Sequence, residues 1–221
     1  MPVADKARLG QLKITEIFHS LQGESLTSGL PTVFVRLTGC PLRCSYCDTS
    51  YAFSGGHLLS IGEIISQVVA FNTPYVTVTG GEPLAQAECL KLLTGLCDRG
   101  LRVSLETSGE RDIAPVDPRV IKVMDLKTPS SGESHRNRLA NIDHLLADDQ
   151  IKFVIGDQKD YLWTVGKIRE YGLEQRCHLL LSPVAGKINP ADIAAWMLAD
   201  NLPARLQLQL HKLLWGDQPG K

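Results

Sequence analysis

The chain has 221 residues, with Lys+Arg 23 against Asp+Glu 24, a formal charge of −1, 43% hydrophobic and 21% charged residues. That length suits a single α/β domain over residues 1–221, and the near-zero charge lacks the one-sign field that recruits nucleic acid or anionic lipid, so a small molecule is the expected partner. No window approaches the roughly 20 apolar residues of a membrane span, and "MPVADKARLGQLK" lacks a signal-peptide core, which predicts a cytoplasmic chain whose six cysteines stay reduced and serve metal binding or burial.

In chain order, "TVFVRL" at 32–37 reads as a strand that runs directly into the loop "GCPLRCSYCDTS" at 39–50. A helix follows from Ser60, which caps with Glu63 reaching back in the S-x-x-E pattern, and Ile61, Ile64, Ile65, Val68 and Val69 form its apolar stripe. "YVTVTG" at 75–80 is the next strand and delivers "TGGEP". A helix over 84–99 closes at Gly100, and "LRVSLETSG" and "VIKVMDLKT" give two further strand-loop pairs. After a short helix near 142–147 come the strand "QIKFVIGD", a helix over 158–171 ending at Gly172, and the strand "CHLLLSPV". A helix from Asn189 with Pro190 in its first turn and a last strand "ARLQLQL" complete the pattern.

Repeated β-α alternation predicts a parallel sheet, and about six units are too few for a closed eight-stranded barrel. The expected architecture is an incomplete, open β/α barrel with its functional loops at the C-terminal ends of the strands.

Cys40, Cys44 and Cys47 stand in the spacing C-x3-C-x2-C. Three thiolates suit two centres. One is zinc completed by a distant fourth ligand such as Cys89, Cys97, Cys177 or a histidine, giving an interaction module without turnover. The other is a four-iron cubane in which one iron keeps an open position that something other than protein must fill. Cys89 and Cys97 fall within a predicted helix and Cys177 begins a strand, where cysteine usually behaves as a small buried hydrophobe.

C-x3-C-x2-C with Tyr46 before the third cysteine and "TGGEP" one β-α unit later resembles the radical S-adenosylmethionine (SAM) enzymes. The resemblance extends further. "IFHSLQGES", "VRLTGCPLRCSYCDTSYAF", "VTGGEPL", "ETSG", "DLKTPSSGE" and "LQLHKLLWG" are similar, in order and spacing, to the 7-carboxy-7-deazaguanine synthase family. One departure is Ser25, where glycine is common.

The resemblance implies a radical SAM core that binds a [4Fe-4S] cluster, SAM and Mg2+. It implies conversion of 6-carboxy-5,6,7,8-tetrahydropterin to 7-carboxy-7-deazaguanine with loss of ammonia, through hydrogen abstraction by a 5′-deoxyadenosyl radical and ring contraction. The cluster would be held by Cys40, Cys44 and Cys47, and Mg2+ by Thr49, whose hydroxyl could otherwise simply turn onto its own backbone. SAM would lie against Tyr46, Cys47, Asp48, Gly81, Asp125, Leu126 and Lys127, with Glu106 and Ser182 as further cofactor contacts. The pterin would meet Leu21, Gln22, Gly23, Arg36 and Thr79, with Arg36 suited to a bidentate carboxylate pair.

Alternation in "QLQLHK" puts Gln207, Gln209 and His211 on one strand face, which is either solvent-facing or part of a site, and Gln209 or His211 is the candidate to reach substrate. The family also implies an electron donor such as flavodoxin or ferredoxin, and a homodimer. The remaining alternative enzyme is a glycyl-radical-enzyme activase, which shares the triad and a GGEP-like turn and should expose a protein-binding surface.

Overall fold

The computed structural model describes residues 10–216 together with Gln218 and Gly220. Nine strands form one sheet in the order β3-β1-β2-β4-β5-β6-β7-β8-β9, and the two ends of that order are not hydrogen-bonded to each other, so the barrel is open. The strands are β1 Gln11–Leu21, β2 Pro31–Leu37, β3 His57–Ser60, β4 Tyr75–Gly80, β5 Arg102–Thr107, β6 Ile121–Asp125, β7 Gln150–Ile155, β8 His178–Pro183 and β9 Arg205–Leu206. From β2 through β9 neighbouring strands in the sheet are parallel. The long β1 and short β3 add an antiparallel edge that the β-α reading did not contain.

The helices are α1 Ile61–Ala70, α2 Cys89–Asp98, α3 Gln158–Tyr171, α4 Pro190–Ala199 and α5 Leu210–Trp215. Helix α1 has the expected capping box, with Glu63 N donating to Ser60 Oγ and Ser60 N to Glu63 Oε2. Ile64, Ile65 and Val68 are buried along it, whereas Val69 is exposed. Asp157 caps α3, which ends at Gly172 in the left-handed conformation, and Asn189 caps α4 ahead of Pro190.

Three elements differ from their predicted form. The 84–99 helix is a 3-10 turn, Pro83–Ala85, followed by α2, and the 142–147 helix is a 3-10 segment, Leu139–His144. The last strand is cut to two residues, and the chain turns into α5. Gln209 is therefore a helix N-cap and His211 lies in the first helical turn, so the alternation that put Gln207, Gln209 and His211 on one strand face does not apply.

Side chains alternate across the sheet with period two. Val33, Val35, Leu37, Val76, Val78, Val103 and Leu105 face out, into a core shared with Ile64, Leu92, Leu93 and Leu96 of the helices. The intervening residues face the lumen and many are polar, among them Arg36, Thr77, Thr79, Ser104 and Glu106. Full burial of each helix leucine contributes about 1.5–3 kcal/mol, so the outer layer supplies the stability and leaves the lumen free for chemistry.

The loop after β1 enters that lumen. Gln22 Nε2 donates to Thr77 Oγ1 at 3.1 Å, and Leu26 N donates to Gln150 Oε1 at 3.0 Å. The C-terminal segment then joins this loop across the open side of the barrel, through Gln207 Nε2 to Ser25 O at 3.3 Å, Gln209 Nε2 to Glu24 Oε1 at 2.7 Å and Leu210 N to Gly23 O at 2.9 Å. Ser25 has φ of 63°, the left-handed region, which accounts for glycine being common at that position. Its hydroxyl pairs with Thr27 Oγ1 at 2.8 Å, a local bond glycine cannot make.

Candidate functional site

Strand register builds the site. Arg36 pairs with Thr79, Glu106 with Val123, Asp125 with Lys152 and Val154 with Ser182 across successive parallel strands, so lumen-facing side chains from β2 to β8 converge at the loop end of the sheet. They line a cavity of about 360 Å3. Every residue proposed above for cluster, cofactor, Mg2+ or substrate lines it except Leu126, which is 1% exposed and packs into the core. Leu126 keeps its place through its backbone, N donating to Lys152 O at 2.9 Å.

The three cysteines are partly exposed, unlike Cys89, Cys97 and Cys177, which are buried. Burial pushes the Cys44 thiol up to about 11, with Lys127 opposing and Asp125 adding, and it raises Cys40 as well. These thiols need the positive charge of a bound metal centre to ionise at neutral pH. Among the described residues no three His, Cys, Asp or Glu side chains stand close enough to hold a single metal ion. An iron–sulfur cluster does not need such convergence on one ion, since each thiolate would take a different iron.

Tyr46 Oη, Asp125 Oδ1 and Ser182 Oγ are buried polar atoms without a hydrogen-bond partner among the described residues, and all three residues line the same cavity. An unpartnered buried polar atom is costly, and three of them around one cavity fit a polar cofactor that supplies their partners. Burial, with the Asp125 carboxylate nearby, pushes the Tyr46 phenol up to about 12, so it stays a neutral donor.

The cysteine loop and the GGEP loop are in backbone contact. Gly81 N donates to Leu37 O at 3.1 Å and Glu82 N to Gly39 O at 2.8 Å. Glu82 is fully buried, accepting from Thr107 Oγ1, Leu84 N, Ser108 N and Ser108 Oγ at 2.8, 3.0, 2.7 and 2.6 Å. It staples the β4 loop to the "ETSG" loop and takes no part in lining the cavity.

Arg36 Nε donates to Glu16 Oε1 at 2.7 Å, which also accepts from Tyr51 Oη at 2.8 Å. Its guanidinium lies 5.7 Å from the Phe18 ring centroid and 5.8 Å from that of Tyr51, and no protein acceptor engages its two terminal nitrogens among the described residues. Two planar donors, held from behind, remain for a ligand.

Two further residues of the lumen were missing from the sequence reading. Lys152 Nζ lies 2.6 Å from Glu24 Oε2 and 3.8 Å from Asp125 Oδ2, and Lys127 Nζ bonds the same Asp125 oxygen at 2.8 Å. Burial disfavours the Glu24 charge, but Lys152 and Gln209 outweigh it and hold that carboxyl below its ordinary range. Glu106 is shifted the opposite way, raised by burial and by the like charge of Glu24, with Thr79 Oγ1 donating at 2.8 Å. A lysine on the same alternating face as Gln150 in an otherwise apolar strand was the available signal for Lys152.

Gln209 Nε2 donates to both Glu24 Oε1 and Asp48 Oδ2, at 2.7 and 3.2 Å, joining the β1 loop to the cysteine loop. Partial desolvation opposes the charge of Asp48, whose side chain is 44% exposed, yet Thr49, Lys212, Gln209 and Lys152 hold its carboxyl down at about 2. His211 packs on Gly23, where an added Cβ would sit 2.1 Å from His211 Nδ1 and 3.1 Å from His211 N. The ring can turn away but the backbone of α5 cannot. Gly23→Ala is expected to loosen the C-terminal segment and speed amide exchange across Leu210–Trp215 by about 5- to 150-fold, since overpacking costs about 1–3 kcal/mol. Exchange at the wild-type rate there would show that Gly23 is not needed for this contact.

The profile of the radical SAM superfamily matches residues 34–197. The chain is 46% identical over 207 residues to the 7-carboxy-7-deazaguanine synthase of Chlorobaculum tepidum, covering 92% of this chain and 94% of that protein. It is 42% identical to the enzyme of the same name from Koribacter versatilis, covering 92% and 97%. Among solved structures, QueE from Escherichia coli superposes with a TM-score of 0.71 at 22% identity, covering 91% of this chain and 95% of that one, a likeness of fold.

Proposed function

The chain belongs to the radical SAM superfamily and, within it, to the 7-carboxy-7-deazaguanine synthase family, and on that premise we propose that its cavity converts 6-carboxy-5,6,7,8-tetrahydropterin to 7-carboxy-7-deazaguanine with loss of ammonia. The observation that carries this reading is the meeting of two sets of groups in one cavity: the cysteine triad with its unpartnered polar atoms, and Arg36, whose terminal guanidinium nitrogens have no protein acceptor among the described residues. When bound, the cluster and SAM supply the 5′-deoxyadenosyl radical that takes hydrogen from the substrate.

The protein's part is to hold and orient. Cys40, Cys44 and Cys47 would hold the cluster, with no fourth protein thiolate from this loop. Tyr46 Oη, Asp125 Oδ1 and Ser182 Oγ would give SAM the hydrogen bonds they lack among the described residues, with Gly81, Cys47, Asp48, Leu126 backbone and Lys127 around it. Arg36 takes the pterin carboxylate. Gln22, Gly23 and Thr79 border the ring, and the carboxylates of Glu106 and Glu24 match the amino and ring N–H donors of the pterin edge. Leu21, Gln209 and His211 complete the lining.

Thr49 and the adjoining Asp48 offer oxygen ligands to Mg2+, a cation that keeps much of its own water. Thr49 Oγ1 donates to Asp48 Oδ1 at 2.8 Å, so the two act together. A small one-electron donor such as flavodoxin or ferredoxin, a homodimer and a cytoplasmic setting complete the reading. No helix among the described residues is long and apolar enough to cross a membrane.

Arg36→Met tests the substrate assignment. Losing charge-assisted bonds to a carboxylate should raise KM for the carboxypterin about 10- to 100-fold. Binding of a tetrahydropterin lacking the carboxylate should be the same in both proteins. Equal loss for both ligands would count against Arg36 as the carboxylate site.

A further inference from the structure

The motif "DLKTPSSGE" contains a part, Pro129–Glu133, that the cavity does not use. Its contacts run instead to the middle of the cysteine loop. Ser45, between Cys44 and Cys47, donates through N to Ser131 O at 3.0 Å and through Oγ to Ser130 O at 2.7 Å. Two residues earlier, Arg43 N donates to Glu133 Oε1 at 2.7 Å. The loop after β6 is thus the outer wall against which the cysteine loop rests.

That wall is itself anchored from α3. Asp160 is 1% exposed, and its carboxylate accepts from Ser130 N at 2.9 Å, from Gly156 N at 2.8 Å and, through a short bond, from Ser130 Oγ. A carboxylate at the third position of a helix ordinarily reaches back to the N-cap N–H. Here Asp157 caps α3, accepting from Asp160 N at 2.9 Å, and Asp160 is turned onto the neighbouring loop. Gly156 permits the approach, since a Cβ there would sit 2.6 Å from Ser130 Oγ. Thr128 Oγ1 to Val154 O at 2.7 Å and Ser131 Oγ to Thr128 O at 2.6 Å stiffen the turn between these contacts.

We propose that Asp160 is a positioning residue for the iron centre: through Ser130 and Ser131 it clamps the Cys44–Cys47 segment in place and so slows loss of the cluster. The chain of contacts is Asp160 to Ser130, Ser130 and Ser131 to Ser45, and Ser45 to the two cysteines that flank it. A buried carboxylate with three protein donors is a firm anchor because moving it would strand those donors. The inference rests on the reading that this loop carries a cluster.

The test compares cluster-loaded wild type, Asp160→Asn, Ser45→Ala and Ser45→Thr by the anaerobic rate of iron release to a ferrous chelator, alongside the melting temperature of each cluster-free chain. Ser45 is exposed, so Ser45→Ala should leave the cluster-free melting temperature unchanged while speeding iron release about fivefold, the worth of one neutral hydrogen bond. Ser45→Thr should restore the wild-type rate. Asp160→Asn, which sets an amide against donors, should release iron about 10-fold faster or more. Adding Ser45→Ala to Asp160→Asn should bring less than the product of the two effects, because both act on one path.

Iron release within twofold of wild type for Asp160→Asn and Ser45→Ala, in a wild type that holds about four irons per chain, would overturn the clamp and leave the functional reading standing. A wild-type chain that takes up no iron would overturn both.

Discussion

Gly81→Ala should cut formation of 5′-deoxyadenosine about 100-fold, the scale of a misplacement of about 1 Å near reacting groups. Gly81 does not need a left-handed backbone, so the effect is steric. A Cβ at that position would lie 2.1 Å from Gly39 O, 2.5 Å from Gly39 C and 2.8 Å from Cys40 Cβ. None of these atoms is the end of a flexible side chain, so the methyl group can be accommodated only by parting the GGEP loop from Gly39 and Cys40. The bonds from Gly81 N and Glu82 N to Leu37 O and Gly39 O would open with it.

Gly62→Ala is the control, because its Cβ meets nothing within 4 Å and it stands in the first turn of α1. There the change should stabilise by about 0.5–1 kcal/mol. Activity of Gly81→Ala within twofold of wild type, at unchanged stability, would show that the loop contact does not set the cofactor's position.

Glu82→Ala should lower the melting temperature of the cluster-free protein by about 6–20 °C, equivalent to a loss of about 3–5 kcal/mol in a chain of this size. The carboxylate is fully buried and receives four donors. The hydroxyls of Thr107 and Ser108 can turn to other acceptors, but the N–H groups of Leu84 and Ser108 are fixed, and each stranded backbone donor costs about 1–3 kcal/mol. Glu82→Gln keeps the volume but sets an amide N–H against donors on one side, so it should recover only part of the loss. A melting temperature within 2 °C of wild type for Glu82→Ala would mean that water replaces the carboxylate at little cost.

Much of this could be read from local sequence. Strands rich in Val, Leu and Thr run into loops whose residue types already declare chemistry, and the Ser60–Glu63 box and the Pro190 start each depend only on residues within one helical turn. What escaped depends on partners far along the chain. The Glu82 carboxylate pairs with residues 25 and 26 positions away, in the next unit, so "GGEP" alone shows a turn and not a staple. Lys152 acquires its role from Glu24, 128 positions away.

The C-terminal segment misled for a different reason. Alternation in "QLQLHK" is real, but Leu210, Leu213 and Leu214 also carry helical spacing, and the bond from Leu210 N to Gly23 O starts a helix where the pattern suggested more strand. The antiparallel edge formed by β1 and β3 is not legible locally, because "IFHSLQGES" carries a loop motif while the strand that enters it is fixed by pairing with β2 and β3.

The most direct measurement is an anaerobic assay of the reconstituted protein with SAM, reductant, Mg2+ and 6-carboxy-5,6,7,8-tetrahydropterin, with product identified by mass and ammonia counted. The account predicts 7-carboxy-7-deazaguanine and one ammonia per product, with the rate falling when Mg2+ is removed by a chelator. Cleavage of SAM to 5′-deoxyadenosine with the pterin recovered unchanged, or hydrogen abstraction only from a partner protein, would contradict it.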